Sequence, residues 1–187
     1  MRLSRPRISP LSDDQLDADQ QAALAPFHPG AVLNIFRTLA NAPKALVAFN
    51  TWGSYILSRR NGLAPREREI VILRTGYLCK SGYEWTQHVR IGRDSGLTDD
   101  EIARLKTDAG ASWSEADGAL IRAADELHRD QFVTDASWAS LRAHFNEKQC
   151  MDVVFTVGQY TQVCMMLNSF GIQLDEGQVL DPDLKTY

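Results

Sequence analysis

The chain has 187 residues, which is enough for one well-buried core and too short for two ordinary domains joined by a linker. Its 44% hydrophobic and 24% charged residues are typical of a folded globular protein and exclude a disordered or collagen-like chain. A formal net charge of -4 offers no basic footprint, so we expect no nucleic-acid partner and no membrane partner.

Helix start and stop signals dominate the first half of the chain. They predict helices that begin at a capping box in residues 12–15, at residue 34, at Pro43 and at Pro65. The apolar run 70–73 would pass for a strand on its own. Because Pro65 suits the first position of a helix and the pattern continues toward Gly82, we expect a helix there instead.

The second half predicts further helices at residues 83–94, 98–106, 115–130, 134–145 and 147–170. Ser114 and Thr134 suit N-cap positions, and Gly171 suits a C-terminal stop. The last predicted helix is apolar nearly all round, so it must be covered on every side, either at the centre of the core or at a subunit interface. We expect an all-α, single-domain helical bundle that forms a homo-oligomer, namely a dimer, trimer or hexamer.

Three features favour a cytoplasmic location. The three cysteines, Cys79, Cys150 and Cys164, are odd in number and widely spaced, which is not typical of a disulfide framework. The basic residues 1–7 are not followed by an apolar stretch, so we expect no secretory signal. No segment of the sequence approaches the roughly 20 apolar residues that are needed to span a bilayer.

Glu84 and His88 are four residues apart, so on a helix they lie on one face within reach of each other. Aromatic and apolar residues flank them. A carboxylate and an imidazole in such surroundings suit proton transfer, because burial raises the pKa of the carboxylate and the carboxylate orients the imidazole. Spacing alone is weak evidence, since solvated Glu–His pairs are common on helix surfaces.

The stretch from Glu69 to His88 resembles the carboxymuconolactone decarboxylase and alkylhydroperoxidase-D superfamily. Redox members of that superfamily carry a glutamate followed by a Cys-x-x-Cys-x-x-x-His motif at the start of a helix. When His88 is aligned with the family histidine, Glu69 falls on the family glutamate, and Ser81 and Glu84 fall on the two cysteines. The resemblance implies an all-helical bundle that assembles into homo-oligomers, with the active site near subunit contacts.

The similarity extends beyond the motif, to the segments 34–43, 124–128 and 155–160. It therefore predicts a family-like helical domain over residues 30–175. We expect an N-terminal arm and a first helix in residues 1–29, and a C-terminal tail without periodicity in residues 176–187.

The missing motif cysteines favour the non-redox branch of the superfamily. A thiol peroxidase needs a thiolate and a resolving thiol, which Ser81 and Glu84 do not supply. We predict an enzyme without cofactor or metal that decarboxylates or isomerises a small carboxylate or lactone, such as one derived from an aromatic compound. Its predicted catalytic residues are Glu69, Glu84 and His88, of which His88 donates a proton and the carboxylates orient it.

Other functions stay open at this point. A thiol peroxidase could use Cys79 together with a cysteine from another subunit. A non-catalytic oligomer that binds a small ligand would keep the fold but close the site with bulky side chains. A metal bound by Glu69, Glu84 and His88 is chemically feasible, but no HxxxH or HExxH pattern supports it.

The sequence also offers candidates for the wall of the substrate pocket and for cations near the motif. The aromatic side chains expected to line the substrate pocket are Trp52, Tyr55, Tyr77 and Trp85. The cations that an anionic substrate could use are Arg74, Lys80, Arg90 and Arg93. Cys150 and Cys164 are interpreted as packing residues, and His128 as a partner of the dipole at the end of its helix.

Overall fold

The computed structural model describes residues 2–27, 32–107 and 113–184. These residues form nine α-helices: α1 (Ala18–Leu24), α2 (Asn34–Leu39), α3 (Pro43–Leu57), α4 (Pro65–Leu78), α5 (Gly82–Asp94), α6 (Asp99–Arg104), α7 (Glu115–Asp130), α8 (Asp135–His144) and α9 (Glu147–Phe170). Within the same ranges no strand occurs, which confirms the predicted all-α class. None of the helices described is long and apolar enough to cross a membrane.

Local capping chemistry accounts for most helix boundaries. Ser114 and Thr134 each accept a hydrogen bond from the backbone N–H three residues on, as the sequence predicts for an N-cap. Pro65 occupies the first turn of α4, where its missing N–H costs nothing. Gly171 ends α9 with a φ of 70°, in the left-handed region that favours glycine.

The two ends of the chain differ from the prediction. Asp13–Gln15 form a short 3₁₀ turn capped by Ser12, and α1 begins after Asp17, whose carboxylate accepts from the backbone N–H of Gln20. The tail is irregular, but Leu184 is buried in the main core and holds the tail against the bundle. The predicted boundary between residues 29 and 30 lies outside the described residues.

Helix α4 is the centre of the bundle, because it packs against α5, α7 and α9. Residues 69–76 of this helix are all buried, so its two charged side chains there need partners. Arg74 pairs with Asp125 on α7 at 2.5 Å and donates to the carbonyl of Leu105 at 2.8 Å. It is therefore a structural cation. The other buried charge, Glu69, lies in the candidate site.

Helix α9 runs along the same core with one face exposed. Its Val153 and Val157 belong to the main core cluster. Met151 and Met165, by contrast, are 47% and 63% exposed in the single chain. Coverage of α9 on every side, which its composition predicts, is thus not achieved within one chain.

Candidate active site

The three residues predicted to be catalytic converge in the structure. Helix α4 supplies Glu69, and α5 supplies Glu84 and His88 one turn apart. His88 Nδ1 lies 2.7 Å from Glu69 Oε2, and His88 Nε2 lies 2.9 Å from Glu84 Oε1. Both ring nitrogens are therefore held by a carboxylate, and the three side chains form one acid–imidazole cluster.

The acid–imidazole cluster is closed to solvent. Glu69, Glu84 and His88 are 0%, 4% and 6% exposed, and the ring of Tyr160 packs edge-on against the imidazole with ring centroids 5.0 Å apart. Burial opposes the charged imidazole, but the carboxylates of Glu84 and Glu69 outweigh it and raise the pKa of His88 to about 10. At neutral pH the ring is an imidazolium, and each of its N–H groups already donates a hydrogen bond to a carboxylate.

Glu69 retains one unused acceptor in this cluster. Its Oε1 is buried and has no hydrogen-bond partner among the described residues. Within the same ranges no set of three or more His, Cys, Asp or Glu side chains is arranged to hold a metal ion. The arrangement can hold a proton tightly on His88, but a substrate would have to displace a carboxylate to reach that proton.

The four aromatic residues predicted to line one pocket fall into two pairs, one stacked and one tilted. Trp52 and Tyr55 stack at 5.3 Å between ring centroids, and Tyr77 and Trp85 meet at 5.7 Å. Tyr55 packs in the same apolar cluster as Tyr160, whereas Tyr77 and Trp85 belong to the main core. The structure therefore places the two pairs in different clusters rather than side by side.

Two of the predicted cations lie at a cavity of about 410 Å³ beside Trp85. Arg90 and Arg93 line it, and Arg93 pairs with Asp99 at 2.7 Å. The indole N–H of Trp85 donates to Asp181 at 3.0 Å, which fixes the C-terminal tail over this face. This cavity contains none of the three residues of the acid–imidazole cluster.

A larger cavity, of about 740 Å³, contains a second group of reactive side chains. Cys79 follows the end of α4, His128 lies in the last turn of α7, and Cys164 lies on α9. All three line the cavity, and Cys79 Sγ is 3.7 Å from His128 Nδ1. The cavity reaches the surface, since Met165 at its edge is 63% exposed. We refer to Cys79, His128 and Cys164 as the thiol site.

The end of α4 fixes the position of Cys79. The N–H of Lys80 donates to Tyr77 O at 2.8 Å, and the N–H of Ser81 donates to Gly76 O at 2.9 Å. This pattern is a Schellman motif, in which Lys80 takes the left-handed position with a φ of 53° although glycine is usual there. From α9, Asn168 donates to the carbonyl of Cys79 at 3.0 Å. The backbone at Cys79 is thus held from both sides.

The two thiols of this site are perturbed in opposite directions. A hydrogen bond from Cys164, together with the positive charge of His128, lowers the pKa of Cys79 to about 6 against the opposing effect of burial. Burial raises the pKa of Cys164 well above its ordinary value, and the hydrogen bond to Cys79 adds to this effect. At neutral pH the pair consists of a thiolate at Cys79 and a thiol donor at Cys164.

Sequence reasoning named Cys79 as the thiol of an alternative peroxidase, but it expected the partner cysteine from another subunit and missed the partners within the chain. The interpretation of Cys164 as plain packing and of His128 as a dipole partner overlooks that both meet Cys79, which comes from a third helix. One signal was present in the sequence. Thr161, Cys164 and Asn168 lie at helical spacing on one face of α9, and all three line the cavity.

Comparisons with known proteins agree with this fold. Residues 43–126 match the carboxymuconolactone decarboxylase family, which confirms the resemblance predicted from the sequence. No curated protein matches the chain.

Three solved structures share its architecture. An uncharacterised peroxidase-related protein with an alkylhydroperoxidase AhpD core, from Ralstonia eutropha, is 21% identical, with a TM-score of 0.78 over 92% of this chain and 95% of its own. An uncharacterised peroxidase-related protein from Silicibacter sp. is 17% identical, with a TM-score of 0.74 over 94% and 92%. A cysteine-to-alanine form of the debrominase Bmp8, in complex with 2,3,4-tribromopyrrole, is 12% identical, with a TM-score of 0.73 over 92% and 94%. Identities this low establish the fold alone.

Proposed function

On the premise of the carboxymuconolactone decarboxylase match over residues 43–126, we propose that this chain is a thiol-dependent peroxidase that uses Cys79. The observation that carries the proposal is the thiol site itself: a thiolate, an imidazole and a second thiol meet on one cavity of about 740 Å³. The names of the peroxidase-related structural neighbours are consistent with this class of reaction.

The first step is attack of the Cys79 thiolate on the outer oxygen of a hydroperoxide. A sulfur–oxygen bond forms and the oxygen–oxygen bond breaks, which gives a sulfenic acid at Cys79 and an alcohol. The alkoxide that leaves takes up the proton that the thiol lost, which gives the alcohol. His128 Nδ1, 3.7 Å from the sulfur, is placed to hold that proton between the two events.

The second step closes a disulfide between Cys79 and Cys164. The Cys164 sulfur loses its proton and attacks the sulfenic sulfur, and hydroxide leaves with that proton as water. The resulting disulfide is two electrons more oxidised than the two thiols. A small or protein dithiol must therefore supply two electrons to reduce it, and that dithiol becomes a disulfide in turn. Burial of Cys164 makes this second step the slower one, because its thiol is reluctant to ionise.

Replacement of single cysteines tests this proposal. In a peroxide-consumption assay with a dithiol donor, we expect Cys79→Ser to be inactive. Cys164→Ser should form the sulfenic acid once and then stop. Cys150→Ser is the matched control, since Cys150 is buried in the main core away from the cavity. Undiminished turnover in Cys79→Ser would rule the peroxidase out.

A second candidate is the acid–base reaction predicted from the sequence, in which the acid–imidazole cluster decarboxylates or isomerises a small carboxylate or lactone. The observation that favours it is the placement of His88 between two carboxylates, as an imidazolium that could protonate developing negative charge. A substrate would have to displace Glu84, because Glu69 is fully buried. The need to displace Glu84 makes the acid–base reaction the less favoured of the two candidate functions.

The two candidates separate in one set of assays. The acid–base reaction predicts CO2 release from a carboxymuconolactone that survives in Cys79→Ser and is lost in Glu69→Gln and in His88→Gln. The thiol reaction predicts no such release from the wild-type protein. Equal CO2 release by the wild-type protein and both cluster variants would remove the acid–base candidate.

A further inference from the structure

One face of α9 stays open along most of the helix. Its residues follow one another at alternating steps of four and three, namely Met151, Phe155, Gly158, Gln162, Met165 and Ser169. Phe155 is half-buried, and the other five are exposed in the single chain. Steps of four and three place residues in one line along a helix, which is the spacing with which two helices pack side by side. We refer to these six residues as the α9 stripe.

The α9 stripe lacks the charges that are usual on an exposed helix face. No Asp, Glu, Lys or Arg occurs in residues 153–170. Met151 and Met165 are 47% and 63% exposed. Trp52 of α3 is 41% exposed and packs edge-on against Phe155, with ring centroids 5.5 Å apart. The apolar surface therefore continues from α9 onto α3, and a continuous surface of this kind indicates contact with another molecule.

The end of α9, by contrast, is covered by the chain itself. The N-terminal arm, residues 2–8, lies there, and two of its backbone N–H groups donate to the carbonyl of Phe170 at 2.8 and 3.3 Å. Gly171 makes room for the arm, because an added Cβ would lie 2.9 Å from the carbonyl oxygen of Arg5. The arm also lines the cavity of the thiol site. A contact within the chain thus explains the missing side chain of Gly171.

Gly158 has no such explanation within the chain. It lies in the interior of α9 on the exposed stripe, and an added Cβ there would meet no atom of the described residues within 4 Å. A glycine in the interior of a helix lowers stability relative to alanine. The gap at Gly158 therefore suits a neighbour from outside the chain that packs directly against the backbone of α9.

We propose that the α9 stripe is the contact between two copies of this chain, which pack their α9 helices antiparallel about a twofold axis. In such a pair, positions at equal distances from residue 160 face each other. Phe155 then meets Met165 of the second copy, which is a favourable sulfur–aromatic contact. The gap at Gly158 takes the side chain of Gln162 of the second copy. The stripe is thus complementary to itself, which favours a second copy over an unrelated protein.

The size of the face fits a specific dimer. From Met151 to Ser169 the stripe is about 27 Å long. Because packed helix axes lie about 9 Å apart, α3 beside α9 widens the face to about 20 Å. Each copy would therefore bury on the order of 600 Å², which is at the lower end of the range for specific interfaces.

The contact also borders the thiol site. Met165 and Ser169 belong to the stripe and line the cavity that contains Cys79. A second copy on the stripe therefore lies at the edge of that cavity. The contact between copies does not depend on the reaction proposed for Cys79, so the two proposals can fail separately.

Sedimentation velocity of the full chain over a range of concentrations tests the proposal. We expect a concentration-dependent dimer for the wild-type protein. Gly158→Arg should weaken it at least about tenfold, because the new side chain fills the gap and places a charge in an apolar contact. Within one chain this position has room, and arginine favours a helix more than glycine does. The monomer of the variant should therefore resist denaturant at least as well as the wild-type monomer.

Ala139→Arg is the matched control, because Ala139 is exposed on α8 and lies outside the stripe. It should leave the dissociation constant of the dimer unchanged. A wild-type protein that stays monomeric, or that forms an assembly with an odd number of copies, would overturn the proposal. Association that is unchanged in Gly158→Arg, or weakened equally in Ala139→Arg, would overturn it as well.

Discussion

The acid–imidazole cluster and the thiol site both contain strongly perturbed side chains, but they differ in what surrounds them. In the first, His88 has a carboxylate on each nitrogen and almost no contact with solvent. In the second, Cys79 has one thiol and one imidazole as neighbours and faces a cavity. A perturbed pKa therefore marks a strong local interaction, and accessibility decides whether the group can react with a substrate.

The comparison also separates stability from reactivity. In a closed site, removal of one partner of a buried ion pair leaves the other charge without a counter-charge and strongly lowers the free energy of unfolding. A thiolate at an open cavity contributes little to packing and remains available. Variants of the acid–imidazole cluster should thus change mainly stability, and variants of the thiol site should change mainly the reaction rate of Cys79.

The largest effect is expected from His88→Ala. Removal of the imidazolium leaves Glu69 and Glu84 buried without a counter-charge, which should cost about 3–5 kcal/mol in the free energy of unfolding. Denaturant titration measures this cost. His144→Ala is the control, because His144 faces a carboxylate of Glu115 that is 93% exposed, and it should cost less than about 0.5 kcal/mol. Equal losses of unfolding free energy in the two variants would mean that electrostatic attraction does not stabilise the cluster.

The stability of the protein should also depend on pH through His88. Folding raises the pKa of His88 from 6.5 to about 10, so the folded protein retains a proton that the unfolded chain releases. The stabilisation is complete below pH 6.5 and declines as the pH rises toward about 10. Cys79 acts in the opposite sense, since its lowered pKa adds stability as the pH rises.

The two contributions can be separated by measurement in Cys79→Ser. In that background the free energy of unfolding should fall steadily between pH 6.5 and 8.5, and the slope should vanish when His88→Gln is added. A stability that rises with pH over this range in Cys79→Ser would contradict the charged state assigned to His88.

A smaller effect is expected from Gly171→Ala. The left-handed φ and the contact with the arm together should cost about 1–2 kcal/mol, and the displaced arm should expose Cys79 to faster alkylation by iodoacetamide. Gly177→Ala is the control, because Gly177 has a φ of 78° and no atom near its added Cβ. It should lose stability without any change at Cys79. Faster alkylation in both variants would show that the arm does not cover the thiol.

The smallest effect is expected from His128→Asn. Without the imidazole charge the pKa of Cys79 rises, so alkylation by iodoacetamide at pH 7 should slow by about two- to fivefold and its pH midpoint should move upward from about 6. The free energy of unfolding should hardly change. A midpoint identical to that of the wild-type protein would remove His128 from the thiol site.

The fold could be predicted from the sequence because its signals are local. Ser114, Thr134 and Gly171 each specify a helix end through hydrogen bonds or a φ angle within a few residues. Ser12 was misleading, since its capping box closes only a 3₁₀ turn and Asp17 starts the helix. Two adjacent capping signals compete there, and the sequence does not show which one continues into a helix.

The two sites also differ in how local their sequence signals are. Glu69, Glu84 and His88 lie on consecutive helices within 20 residues, so their convergence could be predicted from spacing and a family resemblance. Cys79 and Cys164 are brought together only by the packing of α4 against α9. The packing of distant helices depends on the whole core, and no local pattern specifies it.

The most direct test is to map cysteine linkages after one equivalent of hydroperoxide has been added to the reduced protein. The account predicts a disulfide between Cys79 and Cys164 as the main product, with Cys150 still reduced. Consumption of the peroxide with Cys79 and Cys164 both still reduced, or a linkage through Cys150 instead, would contradict it.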